Sequence, residues 1–141
     1  MSMQAILLPL FVEVALTLGL LVWLGVLRGI DLRTEVVRPS EIALRQPNWP
    51  THTLKVAYCF NNQFELPVLF YVLTILEIVT RQADIVFVVL AWVFVLSRLA
   101  HAYEHTHRNI VSRRGAIYGV GLLALLAMWI GFAFRILTAG A

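Results

Sequence analysis

Four stretches of this chain are apolar for long enough to cross a lipid bilayer, and that property governs every other reading. The hydrocarbon core of a membrane is about 30 Å thick and takes about 20 helical residues to cross. The stretches cover residues 4–27, 54–80, 85–104 and 115–136. Backbone polar groups find no water at that depth, so each span must satisfy its own hydrogen bonds as a helix. The expected fold is therefore all-α: a four-transmembrane-helix bundle in which residues 1–141 form one integral membrane domain. Composition agrees, with 60% hydrophobic and only 13% charged residues. The first stretch is read as a mature span and not a secretory signal. It lacks a basic start, carries Glu13 and is followed by no small-residue cleavage site.

Charge asymmetry orients the bundle. The connection after span 1 and the start of span 2 hold Arg28, Arg33, Arg38, Arg45 and Lys55, and the connection between spans 3 and 4 holds Arg108, Arg113 and Arg114. The other side has only Arg81 and Arg135. Basic connections stay in the cytoplasm, so both termini are expected outside, in a membrane expected to be the bacterial inner membrane. A net charge of +3 implies contact with anionic head groups or an anionic ligand. Nucleic acid is not an expected partner, because the cations are spread over loops with no aromatic-rich basic patch. The single cysteine, Cys59, excludes an internal disulfide and reads as a small apolar filler. A reactive thiol would need a neighbouring cation, and only Lys55, one helical turn back, qualifies.

The long connection alternates charges at Asp31, Arg33, Glu35, Arg38 and Glu41. Pro39-Ser40-Glu41 looks like a turn or helix start, and Pro47-Asn48-Trp49-Pro50 breaks regular structure before span 2, with Trp49 suited to the interface. A loop this long is expected to pack over the cytoplasmic mouth. Between spans 2 and 3, residues 81–84 leave room only for a tight hairpin, and Glu77 and Arg81 have the spacing of a helix ion pair. Gly115/Gly119 and Gly25/Gly29 have the small-xxx-small spacing that brings helix backbones together.

Charged side chains inside spans are costly and commonly mark a cavity, a partner or a pathway. Span 2 contains Asn61-Asn62-Gln63-Phe64-Glu65, and span 3 contains Arg98-Leu99-Ala100-His101. In a regular helix Asn61, Asn62 and Glu65 share one face, and Arg98, His101 and His105 share another. At about 1.5 Å per residue, Glu65 lies roughly 16 Å and Arg98 roughly 9 Å below the cytoplasmic surface, within reach of one another. The plainer alternative has Arg98 snorkelling to head groups and Glu65 capped by the asparagines. His101-Ala102-Tyr103-Glu104-His105 fits H-x-x-E-H, but span 4 offers no third zinc ligand, so a solvated helix end is the better reading and no metal is expected. Glu13, a carboxylate in the first of four short spans, is similar to the small multidrug transporters that exchange protons for cationic drugs.

Asn62-x-x-Glu65 followed by Pro67, then Arg98-x-x-His101 in the next span, resembles the membrane-associated proteins in eicosanoid and glutathione metabolism, the MAPEG family. The likeness is best over residues 55–135, span 1 matching only as a hydrophobic helix. It implies a homotrimer of left-handed bundles, with glutathione between neighbouring subunits near the cytoplasmic side. By that resemblance Asn62, Glu65, Arg98 and His101 would line the pocket and Arg28 would hold a carboxylate of the peptide. Arg113 or Arg114 would stabilise the thiolate. The implied activity is a glutathione transferase or peroxidase acting on a lipophilic small molecule drawn from the bilayer. A non-catalytic lipid-binding or scaffolding protein on the same fold, and the exporter built on Glu13, are the alternatives. This chain departs from the family's pattern in two places. Val56-Ala57-Tyr58-Cys59-Phe60 stands where transferases carry an Arg-Ala-His/Gln run, and Pro67 follows Glu65 by two residues instead of four.

Overall fold

The structure is a computed structural model that describes residues 1–44 and 48–138. Arg45 and Pro47, assigned above to the basic connection and its break, lie outside the described residues. The helices are α1 (Met3–Arg33), α2 (Thr51–Asn61), α3 (Leu66–Val79), α4 (Ile85–Thr106) and α5 (Val111–Thr138). α2 and α3 form one broken span, Thr51–Val79, so four rods are long and apolar enough to cross a membrane. The chain is an integral membrane protein with the expected all-α bundle.

Each span outruns its apolar stretch at one end or both, α1 and α5 by the most. α1 continues past residue 27 to Arg33, and α5 starts at Val111 instead of 115. α1 can continue because Asp31, which alternating charge had placed in the loop, is 3% exposed. Its carboxylate accepts from Thr53 Oγ1 at 2.5 Å and faces His52 Nε2 at 3.3 Å, tying the end of α1 to the start of α2. The stop is a Schellman motif: Glu35 takes φ 55° while Glu35 N donates to Leu32 O and Val36 N to Asp31 O. α3 ends the same way, with Arg81 at φ 55°, Arg81 N on Ile78 O and Gln82 N on Glu77 O.

That ending overturns one expectation. Arg81 has left the helix, so it cannot pair with Glu77 across one turn. Glu77 instead accepts from Arg135 of α5, which also lies 3.5 Å from Asp84. Asp84 in turn caps α4 by accepting from Phe87 N at 2.8 Å. At the other end Pro39–Glu41 forms a short 3-10 turn, closed by Glu41 Oε2 on Arg38 N.

The helices bury narrow stripes and leave broad apolar faces outward, as lipid requires. In α1 the buried residues Ile6, Pro9, Glu13, Leu20, Leu24 and Asp31 recur at steps of three, four and seven. Leu123, Phe134 and Val79 are at least two-thirds exposed. The small-residue expectation fails for Gly25, Gly29, Gly115 and Gly119, where an added Cβ would meet nothing within the chain. The close approach is at Gly121, whose missing Cβ leaves room for Ser97 Oγ of α4.

Inside, the apolar residues fall into two groups. One contains Ile6, Leu66, Phe70, Phe94, Val95 and Leu125, with the Phe70 and Phe94 rings 4.8 Å apart. The other contains Leu20, Leu24, Val56, Cys59 and Ala102, nearer the end that carries Arg28, Lys55 and Arg114, called here the basic end. Chain order shows what separates them. In α1, Glu13 falls between Ile6 and Leu20; along α2 and α3, Gln63 falls between Cys59 and Leu66; in α4, Arg98 falls between Val95 and Ala102. All three are at most 1% exposed. A polar layer therefore crosses the bundle between two apolar ones.

Candidate functional site

The layer is built around a fault in the second span. α-helical geometry stops at Asn61, a 3-10 turn covers Asn62–Phe64, and Glu65 leaves helical space at φ −101°, ψ −107° before α3 begins. Pro67 explains the fault. It has no N–H to give to residue 63, and its ring would clash with that carbonyl in a continuous helix. Backbone bonds are remade locally, Glu65 N to Asn62 O at 3.4 Å and Val68 N to Glu65 O at 3.2 Å.

The fault also redirects side chains, so the expectation that Asn61, Asn62 and Glu65 share the inward face is corrected. Gln63 turns inside at 1% exposure, Asn62 is half-buried, and Asn61 and Glu65 are exposed. A tighter turn advances each residue by more than an α-helix does, which hands the inward direction to Gln63. Gln63 Nε2 bonds Cys59 O at 3.4 Å.

Arg98 does not snorkel. Its guanidinium is 1% exposed, and Nη2 donates to Asn62 Oδ1 at 2.9 Å and to Asn62 O at 3.4 Å. The contact expected with Glu65 is replaced by this bond to Asn62. Glu65 sits on the outer side, beside the Tyr118 hydroxyl of α5 and within electrostatic reach of Arg98. The Tyr118 ring lies 5.6 Å from the Arg98 guanidinium carbon. Arg98 Nε and Nη1 have no hydrogen-bond partner.

One turn along α4, His101 is 2% exposed, with its ring 5.7 Å from Tyr118 and 5.5 Å from His105. The Nδ1 atoms of both histidines are buried without partners. Glu104 is not a base between them: its Oε1 accepts from Ile110 N at 3.2 Å and shapes the approach to α5. Among the described residues no three His, Cys, Asp or Glu side chains gather as metal ligands.

Of the two candidate thiolate cations, Arg113 is exposed and Arg114 half-buried. Arg114 Nη1 donates to Asn109 Oδ1 at 2.5 Å, and its charge reaches His101, His105 and Cys59. Cys59 itself is fully buried, its Sγ 3.9 Å from Ala102 O, as a filler would be. Lys55 is turned away, donating to His107 O at 2.8 Å at the end of α4.

Arg28 stands apart from these residues. Its guanidinium carbon lies 5.0 Å from the centre of the Trp49 ring, and its Nε is buried without a partner. It belongs to a groove of about 850 Å3 between α1, α2 and the long connection. Leu21, Leu24, Ile42, Leu44 and Phe60 line the groove, with Tyr58 and Asn61 at its polar edge. The connection thus forms a wall of a groove, which is the part of the expected loop packing that the described residues carry.

Sequence reasoning missed Tyr118, which lies between Gly115 and Gly119, packs its ring against Arg98 and His101 and sits next to Glu65. It also treated Glu13 as a rival site, although Glu13 lies in the Arg98 layer. Arginines with free N–H groups, one in the core and one in a groove, are suited to carboxylates. A third at the mouth of the bundle can lower the cost of a nearby thiolate. Residues 6–134 match the MAPEG family, so the match takes in α1 as well as the stretch carrying the motifs. No curated protein and no solved structure matches the chain.

Proposed function

The chain belongs to the MAPEG family, and from that premise we propose that it is a membrane transferase that uses glutathione, or a closely related thiol, on lipophilic electrophiles. The observation that carries this reading is Arg98: a guanidinium buried in the bundle, fixed by Asn62 and Tyr118, with two N–H groups free. A tripeptide of net negative charge needs such donors, and the residues present fit it.

In this reading Arg98 and Arg28 take the peptide's carboxylates, and Glu65 and Asn62 orient its polar backbone. Arg98 lies in the core and Arg28 in the groove beside α1 and α2, and the family resemblance puts the pocket that uses both between neighbouring copies, three in number. His101 lines the inner wall with Tyr118. Arg114, the half-buried one of the pair, is the cation that favours the thiolate, and Arg113 remains on the surface. The thiol gives up its proton, sulfur attacks the electrophilic carbon, and a C–S bond forms. The displaced electron pair leaves with the leaving group or is protonated on the substrate. The electrophile arrives from the bilayer. Basic connections face the cytoplasm of a bacterial inner membrane, so the pocket opens toward the thiol pool.

A second reading, a lipid-binding protein without catalysis, is favoured by the apolar walls of the Arg28 groove, which suit an anionic amphiphile. The exporter reading built on a lone Glu13 is set aside, because Arg98 lies within electrostatic reach of it. Purified protein in detergent, given glutathione and a chlorinated dinitrobenzene, decides between the two remaining. Conjugate formation that falls on R114A and R98A supports the transferase. Binding of anionic amphiphile with no conjugate under any condition supports the lipid binder.

A further inference from the structure

Glu13 is 0% exposed in the middle of α1, and neither carboxylate oxygen has a hydrogen-bond partner. A carboxylate in such a place is expensive unless something opposes its charge. Three groups face it. Thr17 on its own helix is occupied, donating to Glu13 O at 3.2 Å. Tyr71 of α3 is near both Thr17 and Glu13, and Arg98 of α4 is, among the described residues, the cation within electrostatic reach of it.

Seen from the other side, Arg98 has few candidates for its opposite charge. Glu77 is taken by Arg135 at the far end, Glu104 by Ile110 N, and Asp31 by Thr53 and His52. Glu65 is exposed, while Glu13 lies with Arg98 in the polar layer. The two lie on facing helices in the polar layer, with apolar groups on either side and no hydrogen bond joining them, so Arg98 Nε and Nη1 stay free.

We propose that Glu13 is the counter-charge of Arg98 and positions its guanidinium in the bundle core for an anionic ligand. The arginine side chain is long enough to swing one or two turns toward the basic end and reach head groups. Asn62 supplies one restraint against that swing and Glu13 supplies the electrostatic one. A ligand carboxylate arriving at Nε and Nη1 meets an arginine already held at the right depth. Glu13 is therefore a positioning residue: it acts through Arg98. The role in ligand capture rests on the function proposed above; the pairing itself does not.

The test has a readout for each part. Arginine-selective labelling with phenylglyoxal, read by mass spectrometry on purified protein, reports whether Arg98 has left the core. In wild type and in E13D, Arg98 is expected to stay protected while Arg113 labels; in E13Q, Arg98 becomes reactive. Equal protection of Arg98 in E13Q and wild type would overturn the pairing. Glutathione affinity, measured by calorimetry, is expected to weaken about tenfold in E13Q and to recover in E13D. Unchanged affinity with exposed Arg98 would overturn the role in capture. If wild type binds no glutathione, the proposed function fails while the labelling result still decides the pairing. Should E13Q fail to purify, the neutral double variant E13Q/R98Q decides. Melting close to wild type supports the pairing, and melting at or below that of R98Q alone overturns it.

Discussion

Arg98 of α4 donates to the Asn62 side chain at 2.9 Å and to its carbonyl at 3.4 Å, at the point where the second span breaks. One arginine thus takes up both the Asn62 side chain and its backbone carbonyl, which also accepts from Glu65 N at 3.4 Å in the 3-10 turn. The break made by Pro67 and the charge in span 3 are parts of one arrangement. Without the break, Asn62 O would accept within a regular helix; without Arg98, it would keep the bond from Glu65 N, and the Asn62 side-chain oxygen would lose its donor.

Asn62→Ala removes the side-chain acceptor and leaves a buried donor short of a partner. Loss of such a bond to a charged group costs about 1–3 kcal/mol. Thermal unfolding in detergent should show a lower midpoint, whereas Asn61→Ala, at an exposed position, should leave it unchanged.

Glu77 is fully buried, and its bond to Arg135 ties α3 to α5 at the end opposite the basic one. Breaking a buried pair by removing one partner costs about 3–5 kcal/mol, and the partial exposure of Arg135 places this one at the low end. Arg135→Ala should therefore lower stability substantially. Arg81→Ala, which the sequence spacing had made the partner, should not.

Arg81 occupies a left-handed backbone position at φ 55°, where a side chain is strained. Arg81→Gly should raise stability by about 1 kcal/mol, because the C′ site of a Schellman motif favours glycine. Chemical unfolding of the two proteins compares them directly; a lower midpoint for the glycine variant would count against the motif.

Gly121 faces Ser97, and a Cβ there would overlap Ser97 Oγ. Gly121→Ala should force Ser97 Oγ to turn away from Phe94 O, its acceptor at 2.7 Å, and cost about 1 kcal/mol. The double variant Gly121→Ala, Ser97→Ala should recover most of it. Gly119→Ala, with open space around it, should be neutral for folding of the single chain, and a loss on assembly would locate a contact between copies.

The spans were legible because hydrophobic length alone sets them, and Asn62, Arg98 and His101 were legible because polar residues stand out against hydrocarbon. The inward face of span 2 was not. Its assignment assumed an unbroken helical period through residue 65, and Pro67 had been read only as part of a family motif. Asp31 and Glu77 were misread for a related reason. Each sits near the end of a helix: alternating charge put Asp31 in the loop and regular spacing gave Glu77 a neighbour on its own helix, but both partner a residue elsewhere in the chain, Thr53 or Arg135. Tyr118 carried no signal, since an aromatic in an apolar span is ordinary until the fold turns it onto a guanidinium.

Absorbance of the glutathione thiolate on titration into purified protein tests the central claim most directly. The account predicts a saturable increase in wild type, its loss in R114A, and its weakening in R98A at equal protein. No increase in wild type, or an unaltered one in R114A, would contradict it.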